Sequence, residues 1–360
     1  MNSVGGEGIK RIVCMKIKLI HSFEDIINIE NLLIAWKEFK KGKSNRFDVG
    51  EFELELMENI LELQRDLINH TYKHGGYQAF NVCDPKPRNI HKANVRDRIL
   101  HRAIYRILYP FFDRIFISDS FSCRNDKGTH KAINRFKEFA HKVSKNNTQT
   151  CWILKCDIKK FFASIDHKIL LDILRVYVLD GDIIQVLEKI IESFSSIRVG
   201  VGLPLGNLTS QLFANVYMNE LDNFIKHKLK AKYYIRYADD FVILSEDKDW
   251  LVNILNSISN FLNDSLKLNL HPNKIFIKTL NSGVDFLGYV LLPHHRVLRT
   301  KTKKRVFRKI SQKMSGLKNN LITKKSFNQT IQSYFGVLKH CNGYKIKGRI
   351  DDLLEDVGDK

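Results

Sequence analysis

At 360 residues, 44% hydrophobic and 27% charged, the chain is composed like an ordinary globular protein with room for two or three compact units, and it holds no internal repeat or low-complexity segment. Its charge is less ordinary: 59 Lys and Arg against 39 Asp and Glu leave +20, which points to a polyanionic partner, nucleic acid before an acidic membrane. None of the six cysteines forms a C-x-x-C pair and no run approaches the about eighteen apolar residues of a membrane span, so a zinc ribbon, a redox motif and a spanning helix are excluded and a reduced, cytoplasmic setting is expected.

Lys10, Arg11, Lys16 and Lys18 interrupt the apolar run near the N-terminus, which therefore does not read as a signal peptide; Met15 is a second candidate start. In residues 51–69, Phe52, Leu56, Ile60, Leu63 and Leu67 share one helical face, and Gly75-Gly76 closes the segment. Asp84-Pro85-Lys86-Pro87-Arg88 is turn-rich and precedes a basic helix expected over 93–112. Thr129 is the expected N-cap of a helix reaching Ser144, and the polar run 145–148 reads as a loop and a subdomain boundary.

The pattern then changes. The apolar run 151–156 predicts a buried strand that delivers Asp157 at its end. Helices are expected near 167–179, 182–194 and 208–229. A hairpin follows, with strands 233–237 and 241–245 and Ala238-Asp239-Asp240 at the tip; one more helix (249–263) and strands 275–280 and 285–292 complete a mixed α+β unit with helices on an antiparallel sheet. From Phe286 to Ile350 the chain holds no acid, while Arg299, Lys301, Lys303, Lys304, Arg305 and Arg308 crowd together. Val306, Phe307, Ile310, Met314, Leu317 and Leu321 are interleaved at helical spacing, so this region reads as folded basic helices that neutralise phosphates rather than as a tail.

A strand end carrying Asp157 beside a hairpin tip carrying Asp239 and Asp240 would group hard oxygen donors, the ligands Mg²⁺ prefers. Paired divalent cations at such a cluster can activate a hydroxyl and neutralise a leaving pyrophosphate. By itself Tyr-x-Asp-Asp is more often a solvated turn, but here it stands in a series. Lys86 and Arg88, Arg96-Asp97-Arg98, Ser122-Cys123-Arg124 and Lys127-Gly128-Thr129 come first. Cys156-Asp157-Ile158-Lys159-Lys160-Phe161-Phe162, Leu203-Pro204-Leu205-Gly206-Asn207-Leu208-Thr209-Ser210-Gln211 and Tyr237-Ala238-Asp239-Asp240 follow. Leu270-His271-Pro272-Asn273-Lys274 and Phe286-Leu287-Gly288-Tyr289 close it. In that order, from Tyr77 to Asn342, the series resembles the motifs of reverse transcriptases.

The resemblance implies a right-hand polymerase: an N-terminal segment (1–45), fingers (46–150), palm (151–292), a small basic helical thumb (293–350) and an acidic tail (351–360). It implies two Mg²⁺ ions, with Mn²⁺ as a substitute, held by Asp157, Asp239 and the backbone of Ile158, with Asp240 a weaker ligand. Template RNA, a DNA or RNA primer and deoxynucleoside triphosphates would be its partners. Lys86 and Arg88 would grip the triphosphate, a task suited to the guanidinium fork; an ion pair of Arg88 with Asp84 or Asp97 is the alternative. Phe162 would press a ring against the sugar, or be ordinary core. Lys274 would protonate pyrophosphate, or be a solvated lysine. Leu205 and Gly206 would line the nucleotide, and Phe286, Leu287, Gly288 and Tyr289 would form the primer grip.

Leu205-Gly206 and Ser210-Gln211 depart from the Gln-Gly and Ser-Pro of intron and retroviral enzymes and resemble the enzymes of diversity-generating retroelements, which copy a template repeat with errors at adenines and work with a small basic accessory protein. A phage-defence enzyme, an intron-derived enzyme and a basic RNA-binding scaffold with an inactive palm are the competing readings. No endonuclease or ribonuclease H constellation is visible in the sequence. If Phe162 gates the sugar, Phe162→Ala raises ribonucleotide incorporation in a primer-extension assay; unchanged sugar selectivity assigns the ring to the core.

Overall fold

The computed structural model describes residues 17–83 and 86–358. The readings for residues 1–14, Met15 and the Asp84-Pro85 corner lie outside them. The chain forms two compact units. One comprises residues up to 116, 160–221 and 264–268; the other comprises 117–159, 222–263 and 269 onward. Both are built of helices with antiparallel strands, an α+β architecture.

In the first unit, the helix expected over 51–69 is two, Phe47–Leu54 and Leu56–Ile68, because Glu55 leaves helical geometry with φ −116° and ψ 36°. Ile60, Leu63 and Leu67 are buried as their spacing requires. The antiparallel hairpin of β1 (Tyr77–Val82) and β2 (Arg88–Ala93) leads into the helix Val95–Ile115, whose cap is Asn94 accepting from the Asp97 N–H at 2.7 Å. Gly75 does not terminate a helix. It passes so close to that cap that a Cβ would lie 2.1 Å from Asn94 Nδ2. Buried Asp97 accepts from Tyr72 Oη at 2.8 Å and from the Gly75 N–H at 2.9 Å. His101 is buried nearby, its Nε2 3.2 Å from His74 Nε2, and burial pushes its pKa down to about 3, so the ring is neutral at physiological pH. Helices Phe23–Ile27, Ile29–Lys40, His167–Tyr177 and Gly181–Glu192 and most of Leu208–Asn223 also belong to this unit.

The second unit holds a four-stranded antiparallel sheet in the order β4 (Tyr233–Tyr237), β5 (Asp240–Ser245), β3 (Trp152–Asp157), β6 (Phe276–Thr279). The apolar faces of β3 and β5 pack Ile153, Val242 and Leu244 into one core with Phe136 and Ala140 of the helix Thr129–Val143. That helix begins one residue earlier than expected in its cap: Gly128, with φ +106°, is the N-cap and Thr129 the first helical residue. The expected strand 285–292 is instead a tight hairpin, β7 (Val284–Phe286) and β8 (Tyr289–Leu291), followed by β9 (Arg296–Leu298). Leu287 and Gly288 take φ of 50° and 91°, which reverses the chain where alternation alone read as continuous. The basic stretch forms the helices Thr300–Lys318, Lys324–Leu338 and Tyr344–Gly358, which bury Val306, Ile310, Phe327 and Ile331 in the same core. Leu321, expected on that apolar face, is exposed. Among the described residues no helix is long and apolar enough to cross a membrane.

Arg236 of β4 is the largest fully buried side chain, and Asp222 at the end of Leu208–Asn223 is fully buried too. Their bidentate pair (2.8 and 2.7 Å) is completed by Tyr234 Oη donating to Asp222 at 2.8 Å. Removing one partner leaves the other charge buried and uncompensated. Asp222→Ala is therefore expected to lower stability by about 3–5 kcal/mol, read from urea unfolding midpoints.

Candidate active site

The pairing of β3 with β5 puts Asp157 directly opposite Asp240. Opposed residues in an antiparallel pair share a face, so both carboxylates emerge on the same side at the same end of the sheet. Tyr237 also pairs with Asp240, leaving Ala238 and Asp239 as a two-residue turn with Ala238 at φ 55°. The turn is tied to β3, since the Ile158 N–H donates to the Asp239 carbonyl at 3.1 Å while the Ile158 side chain is buried. Arg236 Nη1 holds the turn from below through the Ala238 carbonyl at 3.2 Å.

Two lysines meet these carboxylates. Lys274, on the short turn Pro272–Lys274, places Nζ 2.6 Å from Asp157 Oδ1, and the His271 N–H donates to the Asp157 carbonyl at 2.8 Å. Lys274 thus pairs with the cluster while its side chain stays 40% exposed. Lys155 places Nζ 3.3 Å from Asp240 Oδ2. The sequence reading missed Lys155, although alternation put it in view: two residues before Asp157 on a strand, it must share that residue's face. Burial raises the pKa of Asp240 to about 7; Lys155 opposes the rise, and the charges of Asp157 and Asp239 reinforce it.

Hard carboxylate oxygens at one sheet end, with Asp240 Oδ1 buried and without a hydrogen-bond partner, suit a hard dication. Among the described residues no three His, Cys, Asp or Glu side chains are grouped so that they could hold a metal ion by themselves. Asp157 and Asp240, opposed across β3 and β5, match the one or two carboxylates that Mg²⁺ ordinarily takes, its remaining positions being filled by water and substrate phosphates.

In the same unit, Phe286 is fully buried, Leu287-Gly288 is the turn, and buried Tyr289 extends Oη to within 3.4 Å of His130 Nε2 and of the Val337 carbonyl. Arg299 caps the first basic helix and pairs with Asp285. Along that helix Lys301, Lys304 and Arg308 are exposed on one face, whereas Lys303 and Arg305 are half-buried.

The remaining predicted residues belong to the first unit. Lys86 and Arg88 are exposed, Arg88 opening β2, and the Asp97 carboxylate proposed as an alternative partner is instead taken by Tyr72 and Gly75. Phe162 is half-buried, its ring 5.4 Å from that of buried Phe161. The loop 205–207 is zipped onto β2: the Leu205 carbonyl accepts from the His91 N–H and Asn207 Nδ2 donates to the His91 carbonyl, both at 2.9 Å. Gly206 has φ +106°, and a Cβ there would lie 2.7 Å from Ile90 Cγ2, so glycine is required on both counts. The structure therefore gathers Asp157, Ile158, Asp239, Asp240 and Lys274 in one unit, and Leu205 and Gly206 with β2 in the other.

Residues 76–291 match the reverse transcriptase (RNA-dependent DNA polymerase) family, and the chain belongs to it. It is 26% identical over 247 residues to Protein YkfC of Escherichia coli (strain K12), an alignment covering 58% of this chain and 62% of that protein. Over 280 residues it is 25% identical to the group II intron-encoded protein LtrA of Lactococcus lactis subsp. cremoris, covering 58% and 44% respectively. Similarity to a putative COX1/OXI3 intron 2 protein of Saccharomyces cerevisiae is 23% over 333 residues, covering 73% and 38%. The chain spans less than two thirds of the length of each of these relatives.

In metal-free protein the Asp240 carboxyl is expected to titrate near pH 7, followed by carboxyl-resolved NMR, and Mg²⁺ is expected to lower that midpoint. A midpoint near the ordinary carboxylate value would contradict the burial argument.

Proposed function

We propose that the chain is an RNA-directed DNA polymerase that extends a primer on an RNA template with deoxynucleoside triphosphates. The observation that carries this reading is the register that sets Asp157 opposite Asp240 with the Asp239 turn tied to Ile158, in a chain of the reverse transcriptase family. Asp157 and Asp239 would hold the metal ions and Asp240 would add its buried charge beside them. Two Mg²⁺ ions would supply the charge that acidifies the primer hydroxyl and neutralises the departing pyrophosphate. Lys274, 2.6 Å from Asp157, would protonate the departing pyrophosphate. Lys86 and Arg88 would engage triphosphate oxygens and Phe162 the sugar. The turn at Leu287-Gly288 would seat the primer strand, and the exposed Lys301, Lys304 and Arg308 would lie along its phosphates. In hand-like terms, the sheet carrying the carboxylates is the palm, the β1–β2 hairpin belongs to the fingers and the three basic helices form the thumb.

Asp239→Ala is expected to abolish primer extension while leaving primer–template affinity within about two-fold, because phosphate contacts set affinity. A scaffold with an inactive palm predicts no extension by either protein.

A diversity-generating retroelement is the biological setting best supported by Leu205-Gly206 and Ser210-Gln211, and a small basic accessory protein would then be a partner. The names of the similar intron-encoded proteins support a second reading, an intron-type enzyme. The Leu205 backbone is pinned by His91 and its side chain is half-buried, so a substitution there changes chemistry more than backbone course. Leucine has no hydrogen-bonding group with which to check the nascent pair. Leu205→Gln is expected to lower misincorporation opposite template adenine, scored by sequencing the products; identical error spectra would assign Leu205 to packing alone.

A further inference from the structure

Lys155 is a buried lysine that the motif series does not use. A buried ammonium is costly unless each of its donors finds a partner. On β3 it stands opposite Val242, which makes Asp240 its diagonal neighbour on β5, within reach of a long side chain. Its Nζ lies 3.3 Å from Asp240 Oδ2 on one side. On the other it donates to the Asp285 carbonyl at 2.9 Å and sits 5.9 Å from the centre of the Phe286 ring. Asp285 and Phe286 are on β7, which belongs to a different sheet from β3 and β5. One ammonium therefore ties a carboxylate of the cluster to the strand that enters the Leu287-Gly288 turn.

The same segment is held from its far side. The Arg299 guanidinium pairs with the Asp285 carboxylate, and the Arg299 N–H donates to the Gly288 carbonyl at 3.1 Å. Arg299 is the residue from which the first basic helix starts. A continuous path of polar contacts thus runs from Asp240 through Lys155 and Asp285 to Arg299 and the basic helix.

We infer that Lys155 is a positioning residue: it fixes the distance between the Asp240 carboxylate and the 285–288 segment, and so between the catalytic cluster and the primer terminus. The inference rests on the polymerase reading. Misplacement of reacting groups by about 1 Å can cost two orders of magnitude in rate even when binding is intact. Phosphate contacts made elsewhere on the chain would keep the duplex bound.

The test uses the full chain with a defined RNA–DNA primer–template, comparing wild type with Lys155→Met and Lys155→Arg. Three quantities are read: duplex affinity by anisotropy, the amplitude and rate of the first nucleotide addition in a rapid-mixing burst, and the emission of a fluorescent base analogue at the primer terminus. Lys155→Met is expected to slow the burst at least about ten-fold with its amplitude retained, with duplex affinity within about two-fold and with altered terminal-base emission. A purely structural lysine would lower amplitude along with the folded fraction and leave rate and emission unchanged, which overturns the assignment. If Lys155→Met does not fold because Asp240 loses its counter-charge, Lys155→Arg carries the test. It keeps the charge but moves the contacts, so its burst is expected to slow at full amplitude, and an unchanged rate overturns the role. A wild-type protein that extends no primer removes the polymerase reading and this role with it. A wild type that extends while both variants match it removes the role of Lys155 alone.

Discussion

The constraint on which the site depends is the burial of like charges. Antiparallel register sets Asp157 and Asp240 opposite one another, with Asp239 in the adjoining turn. At an effective dielectric of about 20, two unit charges about 4–6 Å apart repel by about 3–4 kcal/mol. Such a cluster persists only where the surroundings supply counter-charge, take up protons or bind a cation. The first two devices are visible in this chain: Lys274 and Lys155 each face a carboxylate, and Asp240 holds its proton to an unusually high pH. A bound dication would take over the same task, which gives the metal a structural as well as a chemical reason to enter.

The geometry around that cluster is held by groups that never meet substrate in the proposed reaction. The Arg236–Asp222 pair, with Tyr234, stiffens the strand below the Ala238-Asp239 turn, and the Ile158 N–H stiffens it from the side. Every partner in this network is hydrogen-bonded inside the protein, so the turn has little freedom to relax when its carboxylates change charge. In the other unit, loop 205–207 is zipped onto β2, and Gly206 combines a left-handed φ with a position where a Cβ would run into the Ile90 side chain.

Much of this was legible in the residues, for definite reasons. The strand ending at Asp157, the hairpin with its acidic tip and the basic helices after Arg299 all follow from short-range alternation or helical spacing, and the structure has them. The failures are equally specific. The break at Glu55 and the hairpin turn at Leu287-Gly288 interrupt patterns whose hydrophobic period runs on unbroken, because backbone reversal needs only one or two unusual φ values and leaves the spacing intact. Gly75 read as a helix stop because the glycine's role, making way for Asn94, lies 19 positions along the chain.

What the amino-acid sequence by itself determined was the inventory and its order: three aspartates, the strands that carry two of them, a lysine-bearing turn, a glycine-pinned loop and an acid-free basic region. Periodicity and composition act over a few residues, and these features are encoded at that range. Only the tertiary structure decided which charges neutralise which. That Lys274 pairs with Asp157, that Lys155 joins Asp240 to β7, and that Asp97 is occupied by Tyr72 depend on strand register and on sheets meeting across 25 to 130 residues of chain. Such pairings are chosen by the low dielectric of the folded interior, where every buried charge must find its partner, and no local pattern in the sequence records the choice.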